Sequence, residues 1–138
     1  MIRRTGVHQE GQILVPAALL MGLFFGALAI FVVDSGLVEA GHQQLSETVQ
    51  AAAEDASNEI DVGQLRASDG RVVVIDSLAA RQMADRSMTA SALPGLQSWT
   101  VQVRGTRVTV TAQLRLRLLL LGDTELTEGR SARLTVGQ

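Results

Sequence analysis

The sequence predicts an α+β chain in which a long N-terminal helix, part transmembrane span and part stalk, precedes a small antiparallel sheet with one packed helix. Three observations carry that prediction. Residues 13–33 read ILVPAALLMGLFFGALAIFVV without a charge. A helical-period apolar stripe follows them. In the last third of the chain apolar and polar residues alternate with period two.

The first element is the apolar run. As a helix it spans ~31 Å at ~1.5 Å per residue, close to the ~30 Å of a bilayer's hydrocarbon core. Arg3 and Arg4 precede it and Asp34 and Glu39 follow. The positive-inside bias then keeps the N-terminus in the cytoplasm and exports everything after the span. The expected organisation is a cytoplasmic tail (1–11), a transmembrane helix (12–34), an extracytoplasmic helical stalk (35–62) and a small α+β head (63–138), crossing the membrane once. Val38-Glu39-Ala40 places small residues where a signal peptidase inspects the chain, so a secreted binding module cut after Ala40 stands as an alternative. The apolar run is, however, longer than the ~7–15 residues of a cleaved signal.

Gly22 and Gly26 form a GxxxG pair within the span. Small residues at that spacing let a second helix approach closely in lipid. Pro16 lies near the start of the helix, where a missing amide donor costs least.

Beyond the membrane, Val38, His42, Leu45, Val49, Ala52, Ala56 and Ile60 fall within about 40° of one line at ~100° per residue. Glu47, Gln50, Glu54 and Asn58 lie opposite. A stripe this narrow resembles a coiled-coil seam and predicts one helix over about residues 12–60, with self-association through the stalk. Gly36 and Gly41 predict a flexible joint just above the membrane, and Asp61-Val62-Gly63 the helix end.

The head opens on an Asp69-Gly70 turn and a β-branched strand over 71–75. Asp76 or Ser77 caps a helix whose face carries Ala80, Met83, Ala84 and Met88, with Arg81 and Asp85 spaced as an i,i+4 pair. Pro94-Gly95 stops it. Trp99, Val101 and Val103 then alternate into an Arg104-Gly105-Thr106 turn. Val108, Val110, Ala112, Leu114, Leu116 and Leu118 continue the pattern as a hairpin. A third strand follows Gly122-Asp123 with Leu126, Ala132, Leu134 and Val136 inward and Gly129 available for a bulge. The sheet therefore has one apolar face for a helix and one polar face.

Composition narrows the function. The chain has 138 residues, 12 basic and 14 acidic, and every basic residue is arginine. The absence of cysteine excludes a disulfide scaffold, a thiolate metal site and a cysteine nucleophile. The near-neutral balance argues against a nucleic-acid partner. Charge is divided, though. Seven acids and no arginine lie between Asp34 and Leu65, and ten arginines against six acids lie from Arg66 onward. An acidic stalk and a basic head invite folding back or attraction between copies.

The two histidines, His8 and His42, are expected on opposite sides of the membrane. No nucleophile motif, phosphate loop or metal-spaced cluster is present. No catalytic, cofactor-binding or metal site, no cofactor and no small-molecule substrate is therefore expected, and the chain reads as a non-enzyme.

Gly11-Gln12-Ile13-Leu14-Val15-Pro16, the aliphatic span, Val33-Asp34-Ser35-Gly36 at its exit and the stretch from Gln44-Leu45 to Ala53 resemble TadE/TadG-type proteins. These are small membrane-anchored components of tight-adherence (Flp) pilus systems. The head segments Val74-Ile75-Asp76, Val101-Gln102-Val103, Val108-Thr109-Val110-Thr111 and Leu120-Leu121-Gly122 resemble members from GC-rich bacteria. The resemblance implies a minor pilin-like or pilus-assembly role, single-pass in the cytoplasmic membrane of a bacterium, with the lipid bilayer and other pilin-like or assembly proteins as partners. The rival of another class is a bitopic structural subunit of a different cell-envelope complex. One departure stands out. Pilins of this type are cut after a glycine, with glutamate fifth in the mature chain. A cut after Gly6 puts Glu10 fourth, and a cut after Gly11 puts Pro16 fifth, so an uncleaved, TadG-like member is expected. Glu10 is then an assembly charge or, more plainly, a favourable charge at a helix start. The candidate assembly residues are Gly22, Gly26, Val38, Leu45, Val49, Ala52, Ala56 and Ile60, with Arg3 and Arg4 setting topology.

Overall fold

A computed structural model describes residues 10–135. Arg3, Arg4, His8 and Val136 lie outside the described residues, and Glu10 enters only as the first residue of a helix. The α+β architecture is present. Helix α1 (Glu10–Ser57) is followed by α2 (Val62–Ala67) and α3 (Ser77–Ala90), then by strands β1 (Leu96–Arg104), β2 (Arg107–Arg117) and β3 (Asp123–Arg133). The strands form one antiparallel sheet in the order β1-β2-β3. Helices α1 and α3 pack against each other on one face of it, α1 over β2 and β3 and α3 over β1.

The strand alternation decides which face is covered. Val108, Val110, Ala112 and Leu114 of β2 are buried under the helices, with Trp99, Val101 and Val103 of β1 packed beside them. The intervening residues form the outer face, where Thr109 meets Ser131 at 2.9 Å and Arg115 meets Glu125 at 3.4 Å. The β1–β2 hairpin closes at the Arg104↔Arg107 pair, with Gly105 at φ +61°. Gly129, available for a bulge, does not form one. Gly129 pairs regularly with Thr111, and the irregularity falls in β1 between Leu96 and Ser98.

The helix side of the core is the stalk itself. Leu45, Val49, Ala52, Ala53 and Ala56 are fully buried, as are Ala80, Ala84 and Met88 of α3. Burying a side chain the size of Leu or Val contributes roughly 1.5–3 kcal/mol, and alanines let α1 and the sheet approach closely. Asp76 caps α3, accepting from the amides of Leu78 and Ala79 at 2.9 and 3.1 Å, which satisfies donors that a helix start leaves open.

Four local expectations are corrected. Helix α1 ends at Ser57, not near Ile60. Ile60 lies beyond it in an isolated bridge with Ile75, and residues 71–75 make no longer strand. Asp61 does not simply stop a helix. Its carboxylate accepts from the Gln64 amide at 2.9 Å and starts α2, a short helix that the apolar periodicity does not signal. Finally, Gly36 and Gly41 form no joint: α1 is continuous through both. Nothing approaches Gly36, but a Cβ at Gly41 would lie 2.7 Å from Leu116 Cδ1. At Gly41 the missing side chain leaves room for Leu116 of β2.

Candidate functional site

The distinctive geometry lies where the apolar half of α1 meets the head. From residue 14 to 33 the large side chains of α1 are exposed, and none of the helix's most apolar window is covered. Gly22 and Gly26 lie in this uncovered stretch with open space around both. The helix is long and apolar enough to cross a membrane.

At Asp34 the helix changes surroundings. Its side chain is 1% exposed. One carboxylate oxygen accepts from the Leu119 amide at 2.9 Å and the other from the Leu120 amide at 2.8 Å. Hydrogen bonds to an ionised carboxylate are among the stronger ones. Those amides belong to the β2–β3 connection, where Leu118 donates its own amide to Gly122 O at 2.8 Å and buries its side chain. Leu119, Leu120 and Leu121 point outward, 74%, 55% and 68% exposed.

This arrangement follows from matched lengths. The 23 residues separating Asp34 from Ser57 rise ~34 Å along a helix, and the 11 residues of β2 extend ~34 Å along a strand. With the β1–β2 turn at the far end of α1, where Gly105 O accepts from Ile75 N at 3.2 Å, the opposite end of β2 must reach Asp34. In the sequence Asp34 stands out as an acid at the exit of the span, with no sign of a partner. Extending the stripe back one turn from Val38 would have placed it within about 40° of the buried line.

A polar seam runs beside this junction. Glu128 and Arg130 occupy the helix-facing parity of β3. Glu128 lies 3.6 Å from His42 Nε2 and 2.8 Å from the Arg130 guanidinium, and Arg130 donates to Ser46 Oγ at 2.8 Å. His42 therefore lies beside the buried stripe, with its side chain about half exposed. The acids of the stalk form no ion pair with a head arginine among the described residues. Glu39 and Glu54 accept from neighbouring glutamines of α1, and Asp55 from Ser87. Stalk and head thus fold together through apolar packing, with hydrogen bonds to α1 from Ser87, Arg130 and the Leu119 and Leu120 amides beside it.

The remaining candidates are dispersed. Leu45, Val49, Ala52 and Ala56 are enclosed by the chain's own head, Val38 is half-buried, and Ile60 is outside the helix. The seam read as a surface for another chain is filled within one chain. The Arg81–Asp85 pair does not form; Asp85 accepts from the Trp99 indole at 2.7 Å, and these residues line a surface depression with Val101. Among the described residues no group of three or more His, Asp and Glu side chains is placed to hold a metal ion.

Comparison with known proteins finds no matching family model, no similar curated protein and no similar solved structure.

Proposed function

We propose that this chain is a single-pass, membrane-anchored assembly protein of the minor pilin-like kind found in tight-adherence systems, working by helix packing and without catalysis. The observation that carries the reading is the uncovered apolar half of α1, which presents Gly22 and Gly26 and runs without a break into the core of the head. An exposed apolar surface of that extent is untenable in water. In lipid it is ordinary, and small residues four apart are what a neighbouring helix packs on.

The residues around Gly11–Pro16 and Val33–Gly36 that resemble TadE/TadG-type proteins support the pilus assignment within this class. Asp34 favours a retained anchor over cleavage after Ala40, because the cut would remove a carboxylate on which the head's own loop is fastened. With the stalk stripe enclosed, the surface we assign to partner helices is the span.

Two measurements test this. N-terminal sequencing of the membrane-bound protein should return a chain that retains the span; a start at Gly41 would overturn the anchor. Replacing Gly22 with tryptophan should abolish crosslinking to partner helices while insertion persists, and unchanged crosslinking would refute the packing role. Gene neighbours encoding a secretion ATPase and a prepilin peptidase would favour the pilus system; their absence would favour another envelope complex.

A further inference from the structure

The β2–β3 connection places three consecutive outward leucines, 119–121, at the level of Asp34, immediately beyond the last uncharged residue of the uncovered helix. The outward leucines of the loop are therefore held at the end of the apolar span by one hydrogen-bonded junction. We propose that this loop is a second membrane contact: Asp34 holds residues 119–121 in the bilayer interface, so that the head lies against the membrane instead of standing off on a stalk. The inference rests on the anchored reading above.

Three features of the loop fit lipid as its occupant. First, backbone amides are costly in hydrocarbon unless bonded internally. Here the amides of residues 118, 119 and 120 go to Gly122 O and to the two Asp34 oxygens, so three of the loop's backbone donors are satisfied within the chain. Second, the loop is anchored rather than loose. Leu118 is buried, the Arg117↔Asp123 pair closes the strands beneath it, and Gly122 turns the chain at φ +70°. Third, Arg115 and Arg117 precede the loop on the exposed face of β2, Arg115 beside Glu125 at 3.4 Å, and a long cationic side chain next to an apolar loop can extend toward lipid phosphates. Asp34 itself sits at the end of the span, where its charge needs partners, and the loop amides supply them.

The chain has no cysteine, so single nitroxide labels can be placed on the full-length protein. Labels at Phe24→Cys, Leu120→Cys and Thr106→Cys would be compared in phosphatidylcholine–phosphatidylglycerol vesicles by collision with oxygen, which concentrates in lipid, and with a water-soluble nickel chelate. The expected result is a position-120 label several-fold less accessible to nickel than the one at 106, with oxygen access approaching that at position 24.

If position 120 is as open to nickel as 106 while 24 is in lipid, the loop inference is overturned and the anchor stands. If 120 is shielded from both reagents, a protein partner covers it and the inference fails. If position 24 is open to nickel, the anchor fails and the inference with it. Adding Asp34→Ala should return the label at 120 to water; a label that stays in lipid overturns the clamp. Adding Leu119→Ser and Leu121→Ser, which keeps both Asp34 hydrogen bonds, should have the same effect on the label while Trp99 fluorescence remains that of the folded head. An unchanged label in that variant also overturns the proposal.

Discussion

The two halves of α1 share one continuous helix yet meet opposite surroundings. Between residues 14 and 33 even the most sheltered of the large apolar side chains, Ile30, is 39% exposed, whereas Leu45, Val49, Ala52 and Ala56 are at 0%. The more apolar half is the uncovered one. Burial inside the fold therefore follows the arrangement of apolar residues and not their amount. A stripe with a polar back has one side to offer a sheet, while a helix that is apolar all round offers its surface to lipid or to other helices. On this reading each half is stable only in its own solvent, and substitutions should separate the two.

The largest separation is expected from a charge. Val49→Asp places a carboxylate among apolar side chains with no partner in reach, a cost of several kcal/mol against a total of about 5–15 kcal/mol for an ordinary domain. The head should become protease-sensitive while the chain stays in the membrane fraction. Leu20→Asp should do the reverse, lowering insertion by about 3 kcal/mol with the head of the inserted molecules still resistant. Limited proteolysis of membrane and soluble fractions reads both, and a Leu20→Asp head that unfolds would break the division.

Truncation should give the same contrast at smaller scale. Leu45→Ala leaves a cavity beneath the sheet and should cost about 2–5 kcal/mol in denaturant unfolding of the head. Leu20→Ala should stay within about 0.5 kcal/mol.

How much of this was legible depends on whether the deciding contact is local. The span, the three strands and the Asp76 cap rest on runs, alternation and neighbouring residues, all visible along the chain. The identity of the surface covering Val49 is not local. A stripe that suits a coiled coil also suits a sheet, and only the matched lengths of α1 and β2 bring them together. Asp34 was hidden for a related reason. Its partners are backbone amides 85 and 86 residues away, and amides have no sequence signature. Glu128 and Arg130 were within reach, since counting by twos from Leu126 puts both on the helix-facing side.

The glycines sharpen the comparison at the boundary itself. Both weaken an isolated helix equally, so helix propensity alone predicts the same gain on replacement, about 1 kcal/mol. Packing predicts different outcomes. Gly36→Ala meets nothing within 4 Å and should be stabilising by up to that amount. Gly41→Leu drives a side chain into Leu116 and should cost about 1–3 kcal/mol by overpacking. A Gly41→Leu chain as stable as the parent would remove the Leu116 contact as the reason for Gly41.

The smallest expected effect concerns charge. The division between an acidic stalk and a basic head invites an electrostatic account of why the two fold together, yet their contact is built from Leu45, Val49 and Ala52 against Val108, Val110 and Leu114. Among the described residues the only acid–base side-chain contact joining α1 to the sheet is His42 beside Glu128, at 3.6 Å. Raising salt shortens the screening length from ~10 Å at 0.1 M to ~3 Å at 1 M, and exposed pairs contribute only about 0–1 kcal/mol to begin with. Head stability in detergent should therefore change by less than about 1 kcal/mol over that range. A larger loss would mean that attraction between the acidic helix and the arginine-bearing sheet, spread over many residues, contributes on the scale of the apolar contacts. The enclosed stripe would then be the result of charge steering as well as of fit.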